Sequence, residues 1–127
     1  MAKLKDLLFY ALAAAVIGYA LWPAPQYYKA DVSPREGLEL QHSGATVVDV
    51  RTPEEWRQTG TVPGSLLLTL DREFLANAQL RLPDKNATVV TLCHSGNRSR
   101  KAANILSEAG YANVYNAEGG IGGWLAR

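Results

Sequence analysis

One short segment of the chain combines residue types that support nucleophilic chemistry at sulfur. It follows a β-branched run at 87–92, precedes a predicted helix at 97–109, and reads Cys93-His94-Ser95-Gly96-Asn97-Arg98-Ser99. At such a junction several backbone N–H groups lack partners and the helix dipole is positive, so the loop should attract an anion. We therefore predict that the Cys93 thiol has a pKa below its ordinary value of about 8.5 and acts as a nucleophile near neutral pH.

The residues that follow Cys93 extend this prediction to a binding loop. Gly96 permits a curled backbone, Arg98 can hold a dianionic substrate, and the hydroxyl of Ser95 or Ser99 can donate to the sulfur or cap the helix. Cys93 is thus the predicted catalytic residue, and the predicted substrate-binding residues are its six successors, His94, Ser95, Gly96, Asn97, Arg98 and Ser99. The alternative is a buried structural cysteine, which is the commoner state of a lone thiol.

The composition limits the other kinds of function. The 127 residues suffice for one globular domain, and a formal net charge of +1 gives no reason to expect nucleic acid as a partner. A single cysteine forms no internal disulfide, and with His42 and His94 as the only histidines a structural metal site is not expected. We expect neither a metal nor an organic cofactor.

The N-terminal segment differs in character from the rest of the chain. Residues 7–22 contain no charged side chain, follow Lys3 and Lys5, and end at Pro23. As a helix this stretch rises about 24 Å, somewhat less than the roughly 30 Å hydrocarbon core of a bilayer. We predict a membrane anchor and linker at 1–25, crossing once, and a domain at 26–127 on the periplasmic or extracytoplasmic side. A cleaved signal peptide is the main alternative, although no small-residue cleavage site follows. A buried N-terminal helix of a soluble protein is less favoured, because the segment is apolar on all sides rather than on one face.

Beyond residue 26, short β-rich runs alternate with helical patterns. Strands are predicted at 27–30, 46–50, 65–70, 87–92 and 111–115, and helices after Ser33, after Thr52, and at 71–80 and 97–109. Residues 119–124 are predicted to form a glycine-rich turn into a terminal helix. Ser33 and Thr52 each begin a capping box, with glutamate three residues later and proline at the first helical position. The alternation predicts an α/β fold with a parallel sheet, in which binding sites lie at the carboxyl ends of the strands.

Four segments of the sequence resemble the rhodanese family. Residues 48–56 are similar to the family's D-V-R-x-x-x-E-[FWY] box, and residues 60–65 to its G-H-I-P-G-A box, with Thr61 in place of the histidine. The Cys93 loop is the third segment, and 118–124 resembles the terminal G-G-x-x-x-W motif. Each box alone is weak, but four in this order and spacing are specific, and the resemblance covers nearly all of 27–127.

The resemblance implies a rhodanese-like parallel five-stranded sheet flanked by helices, with Cys93 carrying a persulfide in the loop after the fourth strand. It also implies that Asp49 and Arg51 form a partly buried charged framework that supports the site. The expected substrates are a small anionic sulfur donor such as thiosulfate and a thiol or cyanide acceptor. The same chemistry suits a persulfide relay, in which a protein partner gives or takes the sulfur.

Two other functions compete with sulfur transfer. Phosphatases and arsenate reductases also place cysteine and arginine around a helix N-terminus, but the phosphatase loop is one residue longer than the segment from Cys93 to Arg98. The shorter loop should be too tight for a tetrahedral phosphate while admitting a single sulfur atom. The second rival is a non-catalytic module that binds a protein partner at the membrane. It is disfavoured because inactive modules commonly lack the cysteine.

Overall fold

A five-stranded parallel sheet forms the centre of the computed structural model, which describes residues 3–21 and 27–125. The strands are β1 (Ala30–Val32), β2 (Thr46–Asp49), β3 (Leu66–Leu67), β4 (Thr88–Leu92) and β5 (Asn113–Ala117). Their spatial order is β1-β5-β4-β2-β3, which places β4 in the middle of the sheet. The predicted α/β fold with a parallel five-stranded sheet is confirmed.

Helices alternate with the strands along the chain. They are α1 (Leu4–Leu21), α2 (Pro34–His42), α3 (Pro53–Thr59), α4 (Phe74–Arg81), α5 (Asn97–Glu108) and α6 (Gly120–Leu125). Both predicted capping boxes are present, because the side chains of Ser33 and Thr52 accept from the N–H groups of Glu36 and Glu55. These caps satisfy helix N–H groups that have no partner within the helix, and so fix where α2 and α3 begin.

The sheet is covered on both faces, and the central strands β2 and β4 therefore carry buried valines on both sides. Val47 and Val90 pack on one face in a cluster with Trp124 of α6. On the other face Val89 packs in a cluster with Leu106 of α5. Strands that are buried on both sides have continuous β-branched runs rather than alternating patterns. This packing positions the carboxyl end of β4.

Four of the elements predicted beyond residue 26 differ from the structure by two or more residues at an end. The fifth strand lies at Asn113–Ala117 rather than 111–115. The first strand lies at Ala30–Val32 rather than 27–30, and the fourth helix begins at Phe74 rather than at residue 71. The apolar run at 65–70 forms only the two-residue strand Leu66–Leu67, at the edge of the sheet. Its continuation follows β2 through single hydrogen bonds, from Leu68 N to Asp49 O and from Leu70 N to Val50 O. The edge of the sheet therefore supports less strand than the apolar run predicts.

The N-terminal helix α1 is exposed along its whole length. It has 18 residues, none of them buried, and its exposed side chains are predominantly large and apolar. Its rise of about 27 Å makes it long and apolar enough to cross a membrane, a property that it shares with signal sequences. Trp22 and Pro23, which bound the predicted anchor, lie outside the described residues.

Candidate active site

The Cys93 loop lies at the carboxyl edge of the sheet, where the central strand ends. Cys93 directly follows β4, and Gly96 is the N-cap of α5 with a φ of 105°, in the left-handed region that glycine adopts without strain. Asp49 is paired with Leu92 in the β2–β4 register, so the end of β2 lies beside the loop. The sheet topology therefore places two of the segments that resemble the rhodanese family, 48–56 and the Cys93 loop, at the same edge of the sheet.

The sulfur of Cys93 is enclosed by hydrogen-bond donors from its own loop. The residue is fully buried, and the Gly96 N–H donates to Sγ at 3.0 Å. Burial raises the pKa of the thiol, but hydrogen bonds from the Ser99 hydroxyl and from the backbone N–H groups of Ser99, Gly96 and Ser95 together outweigh it, so the pKa of Cys93 is lowered overall. The loop therefore favours a thiolate within a buried site.

The glycine-rich segment at the start of α6 packs against the backbone of the Cys93 loop. Ile121 N donates to the carbonyl oxygen of Cys93 at 2.8 Å. Gly120 has a φ of 66°, and a Cβ atom there would lie only 2.1 Å from the His94 carbonyl oxygen and 2.6 Å from that of Cys93. Only glycine permits this approach of two backbones, which explains why a glycine stands at the start of α6.

Asp49 and Arg51 form a fully buried ion pair beside the site. The Arg51 Nη2 group donates to Asp49 Oδ2 at 2.8 Å and to the Gly60 carbonyl oxygen at 2.7 Å, and Nη1 donates to Thr59 Oγ1 at 2.6 Å. Both side chains are fully buried, whereas the resemblance implies a partly buried pair. The guanidinium thus ties the end of β2 to the end of α3, and its role in shaping the site stays a prediction.

Arg98 is held by a carboxylate to which the sequence assigns only a role in a helix cap. Its Nη1 and Nη2 groups donate to Glu55 Oε1 and Oε2 at 2.6 and 2.8 Å, a bidentate pair across 43 residues of sequence. Hydrogen bonding from Arg98 lowers the pKa of Glu55 to about 2. Because the folded-state pKa is depressed, the pair stabilises the fold fully above the ordinary value of 4.5, and this contribution is lost as the pH falls through about 2.

A cleft of about 270 Å³ opens beside the loop. It is lined by Arg51, Glu55, Gln58, Thr59, His94 and Arg98. Of the predicted binding residues, His94 and Arg98 line this cleft, whereas Ser95, Gly96 and Ser99 contribute donors to the sulfur. Asn97 is exposed at the first turn of α5. Five of the six predicted binding residues therefore lie around the sulfur or the cleft, and Asn97 belongs to neither group.

The sequence interpretation missed two residues that contact the predicted site, Glu55 and Asn116, and a third, Asp31, that contacts Asn116. Glu55 is the second glutamate of the 48–56 segment. Its role in the capping box of α3 was enough to explain its presence, so no distant partner was expected. Asn116 and Asp31 continue a hydrogen-bonded chain from Ser99, through Asn116 Oδ1 and Nδ2. A buried asparagine at the end of a strand was the available signal, but the predicted fifth strand ends one residue before it. Across 3–21 and 27–125, no group of three His, Cys, Asp or Glu side chains could hold a metal.

Comparison with known proteins agrees with this arrangement. The family model of the rhodanese-like domain matches residues 33–127. The chain is 36% identical over 93 residues to thiosulfate sulfurtransferase GlpE of Pseudomonas entomophila, covering 73% of this chain and 82% of that protein. It is 42% identical over 72 residues to thiosulfate sulfurtransferase PspE of Escherichia coli, covering 57% and 67%.

A solved structure shows the same fold. The human single-domain sulfurtransferase TSTD1 matches with a TM-score of 0.62 and 30% identity, over 76% of this chain and 96% of that one. These matches agree with the order of the strands and with the position of the loop at the carboxyl end of β4. The family model also covers most of the chain. The chain belongs to the rhodanese-like family, and its relatives support sulfurtransferase function.

Proposed function

We propose that the protein is a rhodanese-type sulfurtransferase that moves sulfane sulfur through a persulfide on Cys93. The observation that carries this proposal is the state of the Cys93 sulfur, which is buried and ringed by N–H and O–H donors that lower its pKa. A purely structural cysteine needs no such donors. The same donors can stabilise the negative charge of a persulfide, because its terminal sulfur is also anionic.

The proposed reaction is a double displacement. The Cys93 thiolate attacks the outer sulfur of thiosulfate or a similar donor, the sulfur–sulfur bond of the donor breaks, and sulfite leaves with the bonding electron pair. A thiol or cyanide acceptor then attacks the outer sulfur of the persulfide and restores the Cys93 thiolate. Every bond made or broken involves only sulfur and the acceptor atom, and the chain's residues supply the nucleophile and the donors.

A persulfide relay between proteins is the second candidate, and the Glu55–Arg98 pair favours it. The charges of Arg51 and Arg98 at the cleft are matched by the carboxylates of Asp49 and Glu55. A cleft without surplus positive charge gains little from binding a dianion such as thiosulfate. A protein thiol or persulfide carries less charge and is less affected by this neutralisation.

Mass spectrometry of the intact protein tests the persulfide directly. After incubation with thiosulfate we expect a mass increase of one sulfur atom, located on the Cys93 peptide and removed by cyanide or by a reducing thiol. Since Cys93 is the only cysteine of the chain, no other thiol can produce this signal. A protein that gains no sulfur from thiosulfate, from persulfide-carrying small molecules or from a protein persulfide would contradict the proposal.

Replacing Glu55 by glutamine should improve the use of thiosulfate. The change removes the carboxylate charge that holds Arg98 but keeps a side chain that can complete the capping box of α3. We expect the KM for thiosulfate to fall about three- to tenfold, as one additional charge-assisted hydrogen bond to the donor would produce, with little change for a neutral thiol acceptor. Arg98→Ala is the matched variant and should raise the same constant. Equal changes for thiosulfate and the thiol would contradict the role given to Arg98.

We also propose that residues 1–25 tether the catalytic domain, 26–127, to a membrane. The exposed apolar surface of α1 supports this proposal, and the lysines at its start favour a cytoplasmic N-terminus by the positive-inside rule. Alkaline carbonate extraction of cells should leave the full chain in the membrane pellet. Release by that wash, or a mature chain that begins after residue 21, would favour a peripheral protein or a cleaved signal sequence instead.

A further inference from the structure

A chain of hydrogen bonds leads from Ser99, which follows Cys93 in the same loop, to the exposed edge of the sheet. Ser99 Oγ donates to Asn116 Oδ1 at 2.5 Å, and Asn116 Nδ2 donates to Asp31 Oδ1 at 2.9 Å. Ser99 and Asn116 are fully buried, whereas Asp31 is exposed on the edge strand β1. We call Asp31, Asn116 and Ser99 the polar chain. It reaches the active site from a strand that supplies none of the predicted binding residues.

The charge of Asp31 fixes the direction of this chain. A carboxylate can only accept hydrogen bonds, so the side of the Asn116 amide that faces Asp31 must be the NH₂ group. The amide oxygen therefore faces Ser99 and must receive its hydrogen bond from there. Tyr28 also donates to Asp31 Oδ1 at 2.9 Å, which holds the carboxylate in place.

The Ser99 hydroxyl has one hydrogen and more than one acceptor. The Cys93 sulfur interacts with this hydroxyl, the Asn116 oxygen lies at 2.5 Å, and the Gly96 carbonyl oxygen lies at 3.1 Å. When the hydrogen points to Asn116, the Ser99 oxygen can only accept, which suits the neutral thiol. When the hydrogen turns to the sulfur, it suits the thiolate.

A neighbouring hydroxyl group allows the Ser99 hydrogen to turn from Asn116 to the sulfur. If Ser99 turns away, the Thr91 hydroxyl can turn from the Ser99 carbonyl oxygen, at 2.9 Å, to the Asn116 oxygen, at 3.5 Å. The buried amide oxygen is then not left without a donor, so the turn avoids the cost of an unsatisfied polar group. Two arrangements of the same hydroxyl groups are thus available, one for each charge state of the sulfur.

We propose that Asn116, oriented by Asp31, is a positioning residue that competes with the Cys93 sulfur for the Ser99 hydrogen and so limits how readily the thiolate forms. This proposal concerns the acidity of the Cys93 thiol itself. It rests on the proposed function only where that acidity is related to sulfur transfer. A thiolate that is too stable is a poor nucleophile and, as a leaving group, releases sulfur readily. The polar chain would therefore adjust the balance between loading and delivery of sulfur.

Other charged groups also face Cys93, and the test must leave them unchanged. Arg98 and Arg100 of α5 interact electrostatically with the sulfur. Arg51, from the end of β2, is matched by Asp49, and the exposed His94 is the remaining titratable group of the loop. Asn116→Leu alters none of these charges, and it leaves Asp31 with its bond from Tyr28.

The test is a titration of the Cys93 thiol in the reduced full chain. Thiolate absorbance is followed as the difference between each variant and the same variant carrying Cys93→Ser, which cancels the tyrosines. For Asn116→Leu we expect the pKa of Cys93 to fall by about half to one unit, the effect of one additional hydrogen bond to the charged form. In a Ser99→Ala background the same substitution should cause no shift, because the contested hydrogen is gone.

Controls separate this role from a structural one. Asn113→Leu removes another side-chain amide from β5, one that donates to Asn86 rather than to Asp31, and should leave the pKa of Cys93 unchanged. If Asn116→Leu does not fold, the exposed Asp31→Asn replaces it, with a larger fall expected when Ser99 is present than when it is alanine. An unchanged or raised pKa, or equal shifts with and without Ser99, would overturn the proposal. None of these measurements requires sulfur transfer, so they stand apart from the test of the proposed function.

Discussion

Cys93→Ser is expected to reduce sulfur transfer to the uncatalysed rate while leaving the fold nearly intact. A serine hydroxyl has a pKa far above neutrality and cannot form the persulfide that divides the reaction into two easier steps. The donors around the sulfur lower the pKa of a thiol, but the residues that hydrogen-bond to Cys93, which are Ser95, Gly96 and Ser99, include no base that could remove a proton from serine. Thiocyanate formation from thiosulfate and cyanide measures the loss.

The fold of this variant is expected to survive because the loop is positioned by its backbone. Ile121 N donates to the carbonyl oxygen of residue 93, a bond that does not depend on the side chain. The serine oxygen occupies slightly less volume than sulfur and can still accept from the Gly96 N–H. Circular dichroism and thermal unfolding should match the parent protein. Substantial turnover by a folded Cys93→Ser protein would defeat the mechanism.

Arg51→Met should destabilise the fold severely. It leaves the Asp49 carboxylate fully buried without its partner and removes the donors to Thr59 and Gly60. Breaking one side of a buried pair costs about 3–5 kcal/mol, a large share of the roughly 5–15 kcal/mol that stabilises a typical domain. Urea unfolding of the variant and the parent protein measures the difference in free energy.

Two further variants test whether burial of the Asp49–Arg51 pair causes the loss of stability. Arg35→Met breaks the Arg35–Glu39 pair, whose side chains are 78% and 67% exposed, and it should change the stability by less than about 1 kcal/mol. The double variant Asp49→Leu/Arg51→Met removes both buried charges and should be more stable than Arg51→Met alone. If Arg35→Met and Arg51→Met cost the same, burial of the pair would not be the source of its effect.

Local signals in the sequence were sufficient for most of the fold. The capping boxes at Ser33 and Thr52 located the starts of two helices to the residue, because the bonds that define them join positions three apart. The β-branched runs located β2 and β4 because both strands are buried on two faces. The edge strands β1 and β3 were misplaced or overextended, since their ends are decided by a single neighbouring strand.

The site was predictable only where it is contiguous in sequence. The loop from Cys93 to Ser99 carries its own donors, and its geometry follows from one strand, one glycine and one helix. The Glu55–Arg98 pair joins residues 43 positions apart, and the Asn116–Asp31 bond joins residues 85 positions apart. No pattern of spacing indicates such pairs, because the order of strands in the sheet brings them together.

The support of the active-site loop by α6 has a consequence for the order of events during synthesis. The backbone of Gly120 and Ile121 lies against the Cys93 loop, yet the ribosome makes these residues after every predicted catalytic and binding residue. A nascent chain that has emerged only as far as α5 contains Cys93 but lacks β5 and α6, so the backbone that packs against the Cys93 loop is missing. We therefore expect the lowered pKa of Cys93 to be acquired only after α6 has formed, so that an unfinished chain carries an ordinary cysteine rather than an acidic one exposed to stray oxidants.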